Sequence, residues 1–166
     1  FAYSPTGYNK TFGHGRNPWD PERICGGSSS GSAISVAARL VHGSLGTDSG
    51  GSIRHPAAMC GITGLKPTQT RVSRADVAPL SFSLDCVGPL ARTARDCARL
   101  LGVIAVRRGA DPTSADIAVP DYEAALTGSL KGVRIAVPRS YYYDHVSDDV
   151  RRRLDDTLAA LRDLGA

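Results

Sequence analysis

Two clusters of glycine and serine hold the residues of this chain best suited to chemistry. The first is Gly26-Gly27-Ser28-Ser29-Ser30-Gly31-Ser32. The second is Gly46-Thr47-Asp48-Ser49-Gly50-Gly51-Ser52-Ile53-Arg54, and one apolar, alanine-rich segment joins the two. Glycine runs let the backbone turn sharply and bring its N–H groups close to a ligand, while serine hydroxyls attack carbonyls or relay protons. In the second cluster the N–H groups of Ser49, Gly50, Gly51 and Ser52 lie in the turn that ends on the Ser52 hydroxyl. One turn can thus supply both an oxyanion hole and its nucleophile, each donor contributing about 2.7–4 kcal/mol to the transition state. Taken alone, this cluster could be a glycine turn that packs closely. Two such loops together point to acyl transfer.

Two other readings of the first cluster fail on context. Gly27-Ser28-Ser29-Ser30-Gly31 matches G-x-S-x-G, the nucleophile elbow of α/β-hydrolases, with Ser29 as nucleophile and a downstream histidine such as His145 as its partner. That elbow follows a buried strand, and Asn17-Pro18-Trp19-Asp20-Pro21-Glu22 cannot pair inside a sheet. A phosphate-cradling loop needs a Gly-Lys-Ser/Thr ending or G-x-G-x-x-G, and neither is present. His14, His42, His55 and His145 lack ligand spacing, so no metal site is expected. His55 reads as a residue of a helix start, with a place in the pocket wall as the alternative.

The elements that must position these clusters follow from patterning. The first two dozen residues are turn-rich and read as an ordered loop carrying the single Trp. Ser32 to Val41 is apolar nearly all round and predicts a buried helix ending near His42-Gly43, so the first cluster feeds a helix N-terminus. A short strand over 44–47 leads into the second cluster. Pro56 to Cys60 predicts a short helix closed by Gly61, and Ile62 to Leu65 another strand. Thr93 with Asp96 resembles a capping box for a helix whose Cys97, Leu100, Leu101 and Ile104 face the core. After a loop from Gly109 to Asp121, Lys131 to Pro138 has a buried-strand pattern. Ser147 then caps a last helix with Val150, Leu154, Leu158 and Leu161 at helical spacing. Strands alternating with helices imply an α/β sheet.

Composition narrows the class. Of 166 residues 42% are hydrophobic, enough to fill a core, and the net charge of +4 is too mild and too scattered for a nucleic-acid footprint. The densest basic run, Arg151-Arg152-Arg153, is followed by Asp155 and Asp156 and reads as a solvated helix face. Cys25, Cys60, Cys86 and Cys97 have no CxxC spacing and sit beside apolar residues, the pattern of reduced thiols in a cytoplasmic protein. No apolar run approaches the roughly 20 residues of a membrane span. The chain opens on Phe1 without an initiator Met and stops just after a helix, so it reads as an interior piece of a longer protein.

With both clusters and their flanks, the sequence resembles the amidase signature family. The likeness rests on the two clusters, on His55-Pro56-Ala57, on Cys60-Gly61-Ile62-Thr63-Gly64-Leu65-Lys66-Pro67-Thr68 and on Asn17-Pro18-Trp19-Asp20. Ser83-Leu84-Asp85-Cys86-Val87-Gly88-Pro89 and Val137-Pro138-Arg139-Ser140-Tyr141 add to it. The resemblance implies an α/β fold with a mixed central β-sheet flanked by helices, and a Ser-cis-Ser-Lys triad. Ser52 stands where the family has its nucleophile. Ser28, 24 residues earlier, stands where it has the serine of a cis peptide that relays protons. Ser29 supports that network, the N–H groups of Ser49, Gly50, Gly51 and Ser52 form the oxyanion hole, and Asp48 with Arg54 braces the turn as an ion pair.

The implied activity is hydrolysis of a carboxylic amide through a serine acyl-enzyme, with a small-molecule amide as substrate and no cofactor, metal, direct nucleic-acid contact or membrane contact; a homodimer is left open. One alternative is the A-type component of an amidotransferase, which hydrolyses glutamine for transfer of ammonia onto misacylated tRNA. A second is a non-catalytic scaffold of the same fold. The triad lysine is expected upstream of this sequence, because none of Lys10, Lys66 and Lys131 matches its position. Residues 1–166 therefore read as the interior of a single amidase domain, with the N-terminal part that carries the lysine and the C-terminal part both absent, and as inactive alone.

Overall fold

A computed structural model describes residues 2–107 and 109–166. They fall into two compact units, Phe1–Glu123 and Ala124–Ala166. The first holds both serine clusters, three strands and three helices in the order α1 (Ser30–Ala37), β1 (Gly43–Asp48), α2 (Arg54–Met59), β2 (Thr63–Gly64), β3 (Cys86–Ala91) and α3 (Ala94–Ile104).

The strands form one antiparallel sheet in the order β1-β3-β2, with Gly43 opposite Ala91 and Asp48 opposite Cys86 at the two ends of the β1 ladder. Side chains alternate across a strand, so residues of opposite parity on β3 face opposite sides. Leu90 packs with Ala33 and Ala37 of α1, Ala57 of α2, and Ile53, Cys25 and Cys60. Val87 packs instead with Leu101 and Ile104 of α3, Val72, Ala105 and Leu65. The unit thus has three layers, α1 and α2 on one face of the sheet and α3 on the other, and β3 is nearly continuous in burial because both its faces are covered.

Pro89 sits inside this central strand, where a proline normally removes a ladder hydrogen bond. Its carbonyl accepts from Leu65 N–H at 3.0 Å, so the backbone of Pro89 is directed to the β2 side. A strand residue points its N–H and C=O to the same neighbour, and the ladder of β2 pairs only Leu90 and Ala91. The missing N–H falls beside that ladder and leaves the β1 ladder intact.

Local signals act where expected in several places. The Thr93 hydroxyl accepts from Asp96 N–H at 3.1 Å and caps α3. Trp19 donates its indole N–H to the Cys60 carbonyl at 2.8 Å and Asn17 its amide to Met59 at 2.8 Å, so the opening loop satisfies the C-terminal carbonyls of α2. Helix α1 stops four residues short of the predicted end, and Arg39 beyond it takes a left-handed φ of 62°.

In the second unit the one helix is α4 (Asp148–Asp163). Ser147 takes the N-cap position with an extended backbone but makes no side-chain cap bond. The strand predicted at Lys131 to Pro138 is not formed. Its apolar residues Val133 and Ile135 are 46% and 44% exposed, and within this unit no strand lies beside it to complete a ladder. Val150 and Leu154 of α4 are also exposed.

Candidate active site

The site grows from the end of β1. Asp48, fully buried, is the last residue of the strand, and the chain then turns back through Ser49, Gly50, Gly51 and Ser52 into α2. Its carboxylate organises that turn. Oδ1 accepts from Gly51 N–H at 2.8 Å and Arg54 Nη2 at 3.0 Å; Oδ2 accepts from Ile53 N–H at 3.2 Å, Arg54 N–H at 3.3 Å and Arg54 Nε at 3.0 Å. A carboxylate shut away from water needs such a set of donors, and the two-pronged guanidinium supplies the compensating charge. Burial pushes the Asp48 carboxyl up, but Arg54 and the N–H groups of Ile53 and Arg54 outweigh it and hold the group below its ordinary value. Below the turn Ile53 is fully buried and anchors it in the core. His55 N–H closes the turn on the Gly51 carbonyl at 2.7 Å, the helix-start role expected of that residue.

The first cluster is fastened to the second by backbone and hydroxyl contacts. Ser29 N–H donates to the Ser52 carbonyl at 3.1 Å. The Ser29 hydroxyl donates to the Thr47 carbonyl at 3.3 Å and accepts from Thr47 N–H at 3.2 Å. It therefore makes no cap bond to α1, although Ser29 holds the N-cap position. Gly46 lets Ser29 approach β1 this closely, since a Cβ there would lie 2.6 Å from the Ser29 hydroxyl and 2.9 Å from Leu90 Cδ1. The Ser32 hydroxyl adds a bond to the Leu45 carbonyl at 2.7 Å. The peptide bond Gly27–Ser28 is cis. Ser28, Ser29 and Ser52 are all half-buried, and a cavity of ≈ 420 Å³ opens on Ser28 and Ser30, walled by Tyr3, Ser4, Tyr8 and Asn9.

Among the residues singled out from sequence, Asp48 and Arg54 brace the turn and Ser29 joins the two loops. Gly51 departs from expectation. Its N–H points at Asp48 rather than toward an incoming oxyanion, because the buried carboxylate beneath the turn takes that donor. Among the described residues the N–H groups of Ser49, Gly50 and Ser52 have no hydrogen-bond partner.

A contribution that sequence reasoning did not assign comes from the segment before β3. Asp85, 6% exposed, accepts from the Ser49 hydroxyl and from the N–H groups of Leu80 at 2.8 Å and Ser81 at 2.9 Å. Arg74 holds the same segment from the other side, donating to the Phe82 carbonyl at 2.6 Å and the Thr113 hydroxyl at 2.7 Å. The sequence signal for it was the place of Asp85 in the Ser83 to Pro89 stretch that contributes to the family likeness, which assigned it no role. A cavity of ≈ 310 Å³ lies between these loops, with Thr47, Arg74, Phe82 and Asp85 in its wall. A larger one, ≈ 780 Å³, is lined by Lys66, Arg71, Leu101 and Tyr122 and contains no residue of either serine cluster.

Comparison with known proteins assigns the class. The family profile Amidase matches residues 1–166. The A-type subunit of glutamyl-tRNA(Gln) amidotransferase from Roseiflexus sp. (strain RS-1) is 53% identical over 169 residues, covering 100% of this chain and 34% of that protein. Its counterpart in Geobacter sulfurreducens is 50% identical over 166 residues, with 100% and 34% covered. Among solved structures, the A-type subunit of glutamyl-tRNA(Gln) amidotransferase from Thermotoga maritima superposes with a TM-score of 0.94 at 39% identity, covering 99% of this chain and 36% of that one. Native peptide amidase from Stenotrophomonas maltophilia superposes with a TM-score of 0.86 at 40% identity, covering 99% and 34%. The chain belongs to the amidase family. It spans about a third of the length of these relatives. Among the described residues no helix is long and apolar enough to cross a membrane.

Proposed function

We propose that this chain carries the serine half of an amide-hydrolysing site in an amidotransferase component of the A type, which releases ammonia from glutamine for transfer onto misacylated tRNA. The observation that carries the reading is the contact of the two loops: Ser29 N–H on the Ser52 carbonyl, with the Ser52 turn braced from beneath by Asp48 and Arg54. The Roseiflexus and Geobacter relatives, both named as A-type components of that amidotransferase, favour this reading over the free-standing amidase that the sequence suggested first.

In this mechanism Ser52 Oγ attacks the amide carbonyl carbon. Its proton passes to Ser28 Oγ as Ser28 gives its own to a neutral lysine on a segment upstream of residue 1. The oxyanion that forms is held by the N–H groups of Ser49, Gly50 and Ser52. Collapse breaks the C–N bond while the proton returns through Ser28 to the leaving nitrogen, giving ammonia and an acyl-Ser52 ester. Water, deprotonated by the same relay, hydrolyses that ester to the carboxylate and restores the Ser52 hydroxyl.

A peptide amidase with the same serines is the second reading, favoured by the likeness to the Stenotrophomonas maltophilia enzyme. Ammonia release from glutamine and from a peptide C-terminal amide, measured on the full-length protein, separates the two. Strict preference for glutamine together with copurifying partner proteins supports the amidotransferase; turnover of the peptide amide by the isolated chain supports the amidase. In either case Ser52→Ala lowers turnover at least about 1,000-fold, as loss of a catalytic serine does elsewhere. Residual activity near wild type in that variant removes Ser52 from the mechanism.

A further inference from the structure

We propose that Asp85 is a positioning residue for the nucleophile turn, acting through the hydroxyl of Ser49; this rests on the assignment of Ser52 as nucleophile. Asp85 sits directly before β3 and Ser49 directly after β1, and the register that places Asp48 opposite Cys86 brings the two side by side. One carboxylate oxygen accepts the Ser49 hydroxyl and the other the N–H groups of Leu80 and Ser81. The aspartate therefore couples two segments 36 positions apart in sequence, the turn that ends on Ser52 and the loop that walls the adjoining cavity.

The coupling bears on the turn from the side that Asp48 does not reach. Asp48 restrains Gly51, Ile53 and Arg54 from beneath. The N–H groups that remain for an oxyanion are those of Ser49, Gly50 and Ser52, and the turn that carries them starts at Ser49. Without its link to Asp85, Ser49 keeps only its connection to β1, and the orientation of the Gly50 peptide is no longer set from both ends. Arg74 makes the far side of the link stiff by holding the Phe82 carbonyl and the Thr113 hydroxyl. The Asp85 carboxyl, which burial alone would push up, is kept below its ordinary value by the Ser49 hydroxyl and the N–H groups of Ser81 and Leu80, so it is charged at neutral pH. A charged acceptor makes the stronger hydrogen bond.

The experiment is steady-state amide hydrolysis and fluorophosphonate labelling of the full-length protein, with its partner proteins where these copurify. The variants are Ser49→Ala, Asp85→Asn, the double variant and Ser49→Thr, with Ser52→Ala as the reference for loss of the nucleophile. Loss of an oriented, charge-assisted bond predicts a fall in kcat of roughly 10-fold to 100-fold for each single variant. KM stays within about twofold, because the interaction matters most in the transition state. The double variant is no worse than the poorer single one, since both remove the same link. Ser49→Thr, which keeps the hydroxyl, recovers most of the loss.

A single variant that folds and turns over at the wild-type rate overturns the proposal, as do losses that multiply in the double variant. So does a lowered unfolding midpoint with unchanged kcat per folded molecule, which marks a role in stability alone. If Ser52→Ala retains turnover, the nucleophile assignment itself fails and the positioning role falls with it.

Discussion

The buried Asp48 carboxylate gives the sharpest test of how the turn is built, through Asp48→Asn. Five donors converge on it, two on Oδ1 and three on Oδ2. Asparagine keeps one acceptor oxygen and places an NH2 group where the other stood. Its better orientation keeps oxygen at the Oδ2 position, preserving three bonds, and sets the NH2 against Gly51 N–H and Arg54 Nη2. A hydrogen bond from a buried N–H to a charged acceptor contributes about 1.5–3 kcal/mol. The Arg54 side chain is 55% exposed and regains water, so its lost contact adds only about 0–1 kcal/mol. The substitution is therefore expected to destabilise by about 2–4 kcal/mol. It also frees Gly51 N–H, which loosens the turn at the nucleophile. Denaturant unfolding of the full-length protein measures the first effect and the rate of fluorophosphonate labelling the second. Unfolding within about 0.5 kcal/mol of wild type, the range of an ordinary surface substitution, together with an unchanged labelling rate, would refute the reasoning.

Other consequences can be checked alongside it. Asp48 and Asp85 have folded-state values below the ordinary 3.8, so the stability they contribute is present above that value and is lost as pH falls through the lower folded values; Asp48→Asn should flatten the acid limb of a stability-against-pH curve. Gly46→Ala places a methyl group against the Ser29 hydroxyl and Leu90, and should destabilise by about 1–3 kcal/mol and slow labelling of Ser52, read from denaturant midpoints and probe kinetics. Burial pushes the thiols of Cys60 and Cys97 up to about 11. In the folded protein at pH 8 both should therefore resist a thiol-titrating reagent, and unfolding should release them to rapid reaction.

Local signals carried much of the fold. The Thr93 and Asp96 pair, the strand before Asp48 and the short helix after Arg54 are written in contiguous residues, and the structure has them within a few positions. Strand β3 was not legible because Gly88 and Pro89 are turn residues by type; only the stopping of β2 after two residues makes a proline acceptable there. Conversely, Lys131 to Pro138 has a strand's pattern without a neighbouring strand in its unit, and pattern alone does not complete a ladder. At the candidate site the serines and glycines were legible because chemistry and turn geometry restrict residue type. Asp85 was not, since its partner Ser49 lies across the sheet register, and neither was the diversion of Gly51 N–H to Asp48, which depends on where a buried carboxylate finds its donors.

The most direct measurement is to treat the full-length protein with a fluorophosphonate probe and map the modified residue by peptide mass spectrometry. The two-loop site predicts a single adduct on Ser52 that disappears in Ser52→Ala. An adduct on Ser29, or a folded protein with no adduct at all, would contradict it, the first by moving the nucleophile to the other loop and the second by leaving a fold without acyl chemistry.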